Sequence, residues 1–305
     1  MHRDGPRECV RARSTAGMLL ESSGHMADDL GRFSVQHWLE NAAQGYLLGR
    51  EHGHLAGERE PAWLLANEPL RKRAIFVTAQ LVSAERCSLA TSAGLVGLAP
   101  DDGLRRFLAT QVIDEARHVE IFSQRLIDLG VPALRLDAVV ADTTSPNLAR
   151  FAEALRAIVE ERDFVPALVG HNVLLEGVML SVCGLLHGAQ LEQNPKFANT
   201  LAGTVLDERR HAACGETAVT ARLRGAPELR ARAEALQRDL THWILAAFSD
   251  IAREAPLGPV AGAGPRGSVG TGRAEIEAFL SHGVEEDLSM RLTRIGLSYR
   301  APVRS

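Results

Sequence analysis

Two segments of this chain carry the same chemistry: QVIDEARHVEIF at residues 111–122 and VLDERRHAACGE at residues 205–216. Each contains Asp-Glu-x-x-His within a stretch whose apolar residues recur at helical spacing. Glu115 and His118 therefore sit one turn apart on one helix face, and Glu208 and His211 do the same. Each pair follows a lone acid in an otherwise apolar helix centre. Glu85, in LVSAERCSLA, precedes Glu115 by 30 residues, and Glu176, in NVLLEGVMLSV, precedes Glu208 by 32. The halves are offset by 91 residues at the lone acid and 93 at the motif glutamate. The chain thus holds an internal repeat, Glu then Asp-Glu-x-x-His, twice.

A lone Glu-x-x-His carries little weight. With 24 Glu and 11 His in 305 residues, chance alone produces the pattern roughly once. Glu51 and His54 form one such decoy, in a polar, Gly-broken segment, and Asp239 with His242 is a near-match. The repeated set is different, because it predicts four carboxylates and two imidazoles meeting at the midpoints of four long helices. Burying four carboxylates together is very costly unless cations neutralise them. Two divalent ions balance the four charges, and oxygen-rich ligation with one imidazole per metal suits iron or manganese better than zinc or copper.

On these six residues the chain resembles the ferritin-like di-iron carboxylate superfamily, over about residues 68 to 224. That arrangement, one Glu from each of two helices and Glu-x-x-His from each of two others, is the one known from di-metal bundles. The resemblance implies Glu85, Glu115, His118, Glu176, Glu208 and His211 as ligands to two irons, with Glu115 and Glu208 bridging; a manganese–iron pair suits the same donors. It also implies that Asp114 and Asp207 each accept the free N–H of the histidine of the opposite motif.

The rest of the sequence agrees with a helical bundle. Long amphipathic stretches cover 68–98, free of proline after Pro69, and 101–130, 163–193 and 195–224, each about 45 Å long as helix. Further helices are expected over 33–48, from about 148 to 163, and from Ala226 to about 255, with 131–146 as a linker. No alternating strand pattern of useful length occurs. The fold class is all-α, a ferritin-like four-helix bundle with additional packing helices. Residues 1–30 read as a flexible N-terminal segment, 31–255 as the helical domain, 256–272 as a Gly/Pro-rich loop, and 273–305 as a C-terminal helix and tail.

Composition excludes several alternatives. A formal charge of −4 with no Lys/Arg-rich run gives no polyanion-binding surface, so no nucleic acid is expected. The polar N-terminus MHRDGPRECVRARST is unlike a signal peptide. No apolar run is read as long enough to cross a membrane. The cysteines Cys9, Cys87, Cys183 and Cys214 lack metal-site spacing and read as reduced thiols of a cytoplasmic protein.

Within the superfamily the match is uneven. The chain resembles the ribonucleotide reductase small subunit in helix length and spacing, but the residue one turn after the first ligand histidine is Phe122, not the radical tyrosine. Hydroxylases place Thr where this chain has Leu180, and arylamine N-oxygenases place His where it has Thr204. Phe122, Gly177, Leu180 and Thr204 are candidate pocket residues. Gly177 either gives the Glu176 carboxylate room to shift or allows close helix packing. His171 and His187 read as structural, and Arg117 and Arg210 as partners of the motif acids, solvent-facing groups or an anion clamp. The resemblance implies a bacterial di-iron oxygenase or oxidase using O₂ on a small organic substrate. N-oxygenation of an amine, hydroxylamine or hydrazine in natural-product biosynthesis ranks first, ahead of C–H hydroxylation or desaturation, and of a non-catalytic iron-binding or scaffold protein. An external donor such as a ferredoxin or reductase, and a homodimer, are expected with it.

Overall fold

Capping residues in the sequence set where the long helices begin. The computed structural model describes residues 33–41, 52–53, 57–254 and 283–299. Helix α1 runs Val35–Asn41 and α2 runs Ala62–Ala66. Asn67 then caps α3, Glu68–Leu98, its side chain accepting from the Leu70 amide at 3.2 Å, with Pro69 in the first turn where a missing N–H costs nothing. Asp101 caps α4, Asp102–Asp128, accepting from Leu104 at 2.8 Å. Helix α4 stops at Gly130, whose φ of 97° lets Val131 N–H turn back to Leu126 O at 2.9 Å.

The stretch expected as a linker, 131–146, is mostly helical. A 3₁₀ turn, Ala133–Arg135, leads into α5, Leu136–Thr143. Its eight residues are too few to show a clear apolar period, and three are β-branched; Val140 is buried in the core and holds the helix down. Ser145 caps α6, Pro146–Glu160. The next helical stretch is continuous from Phe164 to Gln190, but not uniform. It starts as α7, Phe164–Leu168, passes through a π-helical segment, Val169–Leu175, and continues as α8, Glu176–Gln190. Asn194 and Pro195 open α9, Pro195–Leu223, and α10 is Pro227–Glu254. Helix α11, Val284–Arg294, is the described part of the expected C-terminal helix. The expected segments 1–30 and 256–272 lie outside the described residues, as do most of the 33–48 helix beyond Asn41 and the last residues of the tail.

No strand occurs among the described residues. Helix α3 packs along α4 and α8 along α9, giving two hairpins whose ligand faces meet; α6 and α10 cover the outside of α3 and the π-segment, and α11 lies on α8. The core is one continuous apolar cluster, with Leu108, Phe122, Leu174, Leu201 and Leu240 all fully buried. A second expectation is corrected as well. Phe164–Gln190 is long and apolar enough to cross a membrane, yet 78% of its most apolar window is buried inside the bundle. That apolar character builds the protein core, as the central helix of a bundle requires.

Candidate metal centre

The six predicted residues converge. Glu85 comes from α3, Glu115 and His118 from α4, Glu176 from the start of α8, and Glu208 and His211 from α9, and all six have no solvent exposure. They form two overlapping sets: Glu85, Glu115, His118 and Glu208, and Glu115, Glu176, Glu208 and His211. Within each set one donor atom per residue lies within 4.8 Å of every other. Glu115 and Glu208 belong to both, which is the placement of bridging carboxylates.

Both histidines turn the same nitrogen inward. Nδ1 of His118 is 3.3 Å from Glu85 and 3.4 Å from Glu115, and Nδ1 of His211 is 3.1 Å from Glu115 and 3.3 Å from Glu176. The outward nitrogens meet the aspartates crosswise. Nε2 of His118 is 3.2 Å from Asp207, and Nε2 of His211 is 3.1 Å from Asp114. Arg117 bonds Asp207 at 2.7 Å, Arg210 bonds Asp114, and the indole N–H of Trp38 donates to Asp114 at 3.0 Å. The motif arginines thus neutralise the aspartates that orient the imidazoles.

Four inward carboxylate oxygens have no hydrogen-bond partner: Glu85 Oε1, Glu115 Oε2, and both oxygens of Glu208. Orphaned buried oxygens of this kind are costly, and a cation is the group that satisfies several at once. The donor set fits two metal ions. Without metal, protons take their place. Burial, only partly offset by His118, pushes the Glu85 carboxyl up to about 8. Burial and the neighbouring Glu176 charge hold Glu208 well above the carboxylate range. Burial and Glu176 also oppose ionisation of Glu115, but the close His118 and His211 imidazoles outweigh them and bring it to about 2. Burial disfavours a charged imidazole, yet the surrounding carboxylates raise both His118 and His211 well above the usual range.

Several groups were not legible as part of the site. His171, read as structural, lies with Nε2 2.7 Å from Glu176 Oε1. The hydroxyl of Ser88, one turn beyond Glu85, donates to the same oxygen at 2.8 Å. Asn172 Oδ1 lies 3.0 Å from His171 Nδ1, and its amide donates to Gln111 at 2.9 Å. His187 lies with Nδ1 2.8 Å from the Ala198 carbonyl. Burial pushes the thiols of Cys87 and Cys214 up to about 12 and raises Cys183 as well, so all three are neutral core groups.

An apolar cavity lies between α3, α8 and α10. Leu81 and Ala84 from the helix of Glu85, and Leu175, Val178 and Met179 from either side of Glu176, form one wall. Its single polar lining residue, Gln80, is occupied by the Thr143 carbonyl and the Ser145 amide. None of the four candidate pocket residues lines it. Phe122 is fully buried in the core and Thr204 hydrogen-bonds the Thr200 carbonyl at 3.5 Å. Gly177 faces α11, where an added Cβ would come within 2.8 Å of Arg291 Cδ, so it serves close packing. Leu180 is partly exposed on α8.

No family model and no curated protein matches this chain. Solved structures do. A mutant R2-like ligand-binding oxidase with an aerobically reconstituted Mn/Fe cofactor superposes with a TM-score of 0.61 at 15% identity, covering 76% of this chain and 83% of that one. A protein with aldehyde deformylating oxidase activity from Synechococcus superposes with a TM-score of 0.59 at 16% identity, covering 77% and 94%. A further R2-like ligand-binding oxidase mutant, with a non-activated Mn/Mn cofactor, gives 0.60 at 16% identity over 76% and 83%. The long hairpins and these superpositions agree on one architecture: the chain shares its all-α, ferritin-like bundle fold with these solved oxidases.

Proposed function

We propose that this protein is a di-metal oxidoreductase that uses O₂ to oxidise a small organic substrate. The observation that carries this reading is the pair of buried donor sets sharing Glu115 and Glu208, with orphaned oxygens facing inward. The oxidase activities named for the superposed structures support it. Two irons, or manganese with iron, would supply the redox chemistry that reduces dioxygen. Glu85, Glu115 and His118 would hold one ion and Glu176, Glu208 and His211 the other, each bridging carboxylate also reaching across. Asp207 and Asp114 hold the imidazole rings by Nε2 so that Nδ1 would face a bound ion. The closed apolar helix packing excludes water from the oxidising site.

The finer reading is N-oxygenation of an amine, hydroxylamine or hydrazine. One oxygen atom enters the substrate and the other leaves as water, so two electrons and two protons come from outside. A ferredoxin or reductase is the proposed donor, and a homodimer the proposed assembly. The apolar cavity favours a substrate with an apolar body, and it gives C–H hydroxylation or desaturation a specific footing as a second reading. The test is metal analysis followed by anaerobic reduction and O₂ addition, with apolar amines and matched alkanes compared for product. Two ions per chain with substrate-dependent O₂ uptake supports an enzyme. Normal metal loading without any O₂ reaction turns the reading to metal binding alone.

A further inference from the structure

The two metal positions are built differently, and the difference lies in a change of helix register. In a regular α-helix, residues five apart are about 140° apart around the axis. His171, five residues before Glu176, would then face away from it. The π-segment Val169–Leu175 removes that offset. The Glu176 amide donates to the His171 carbonyl, a five-residue closure that nearly stacks the two residues. Nε2 of His171 arrives 2.7 Å from Glu176 Oε1, and Ser88 holds the same oxygen at 2.8 Å. The other oxygen, Oε2, faces His211 Nδ1 at 3.3 Å.

The related half has none of this. Helix α3 is regular from Glu68 to Leu98. The residue five before Glu85 is Gln80, whose buried amide is engaged by the Thr143 carbonyl and the Ser145 N–H. Glu85 Oε2 faces His118, and Oε1 has no partner.

We propose that Ser88 and His171 are positioning residues that hold Glu176 to one-oxygen coordination, making its metal position the fixed one and that of Glu85 and His118 the adaptable one. Two protein groups occupy Oε1 of Glu176, so only Oε2 is offered to a metal. Both oxygens of Glu85 are available, so that carboxylate can bind through one or two. The π-segment is the device that creates this inequality from an otherwise repeated sequence. Asn172 fixes the His171 ring from the other side and ties it to Gln111 and the His211 carbonyl. The inference rests on the metal-site reading above.

The test is a titration of the full-length apoprotein with Co(II) against a chromophoric chelator, following the cobalt absorption bands. In His171→Leu and in Ser88→Ala, one of the two ions should bind roughly 10–100-fold more weakly while the other stays within about twofold. Its visible absorption should weaken as Glu176 relaxes to two-oxygen binding and the coordination number rises. His171→Gln, which keeps an N–H donor, should recover most of the affinity. Ser88→Ala is a small change that leaves the helices intact, so it answers the question even where His171→Leu disturbs folding. Variants that bind both ions like the wild type overturn the proposal. So does loss of an ion in both His171→Leu and His171→Gln, which would make His171 itself a ligand. A wild-type protein that takes up no Co(II) fails at the earlier step, and the metal reading falls first.

Discussion

Asp207 of α9 lies 3.2 Å from Nε2 of His118 on α4, so the aspartate of one motif orients the histidine of the other. Asp114 returns the contact to His211. An Asp207→Asn substitution keeps the shape but removes the charge that makes the imidazole a stronger ligand. We expect metal affinity to fall about 10–100-fold, with helix content unchanged by circular dichroism. Equal metal affinity in the variant would remove Asp207 from the site.

Metal uptake should depend steeply on pH. The metal-free centre keeps protons on Glu85, up to about 8, and on Glu208, His118 and His211, all raised. A metal must displace them. Affinity should therefore rise as pH increases toward about 8 and level off only above it. Calorimetry in buffers of different ionisation enthalpy should register proton release on binding; its absence at pH 7 would contradict these shifts.

The same shifts set an opposite trend for the apoprotein. The Glu85 carboxyl, ordinarily near 4.5, is raised to about 8, so between those values the folded state binds more protons than the unfolded. Stability then falls as pH rises through that window. The raised imidazoles act in the same direction. The melting temperature of the metal-free protein should be lower at pH 8 than at pH 6, while the loaded protein should not show this loss. A rising apoprotein melting temperature over that range would refute it.

Gly215 lets α9 approach the π-segment. An added Cβ there would lie 2.3 Å from Asn172 Cβ and 3.4 Å from its backbone carbon, neither of which can swing aside. Replacement by Ala would gain about 1 kcal/mol of helix propensity against about 1–3 kcal/mol of overpacking. We expect a net loss of stability by chemical denaturation, with metal affinity reduced because Asn172 holds His171. A stabilised Gly215→Ala protein would show that the segment yields freely.

The cavity makes a separate prediction. Ala247 on α10 is buried and lines it, but supplies no ligand. Ala247→Phe should leave two metals bound and raise KM for large apolar substrates more than for small ones. A uniform loss of kcat across substrates of all sizes would mean that the cavity does not receive substrate.

The six convergent acids and imidazoles were legible because charged residues inside apolar helical stretches have few stable explanations, and because the pattern occurs twice. The aspartates were legible by their place beside each motif glutamate. His171 was not, because counting at 3.6 residues per turn puts it on the wrong face of Glu176; only the π closure corrects the phase. Ser88 looked like any small residue of a buried helix. Helix α5 was hidden by its length. The pocket residues inferred from family positions, Phe122, Gly177, Leu180 and Thr204, fell outside the cavity because its walls face α6 and α10, which one-helix spacing does not reveal.

The crosswise aspartates have a consequence for how the chain assembles. Neither hairpin can complete a metal position alone, since each lacks a carboxylate and the orienting partner of its own histidine. Bound ions therefore act as a clasp between two halves of the chain, and they stabilise only the docked state. A break in either hairpin would be felt at both positions together.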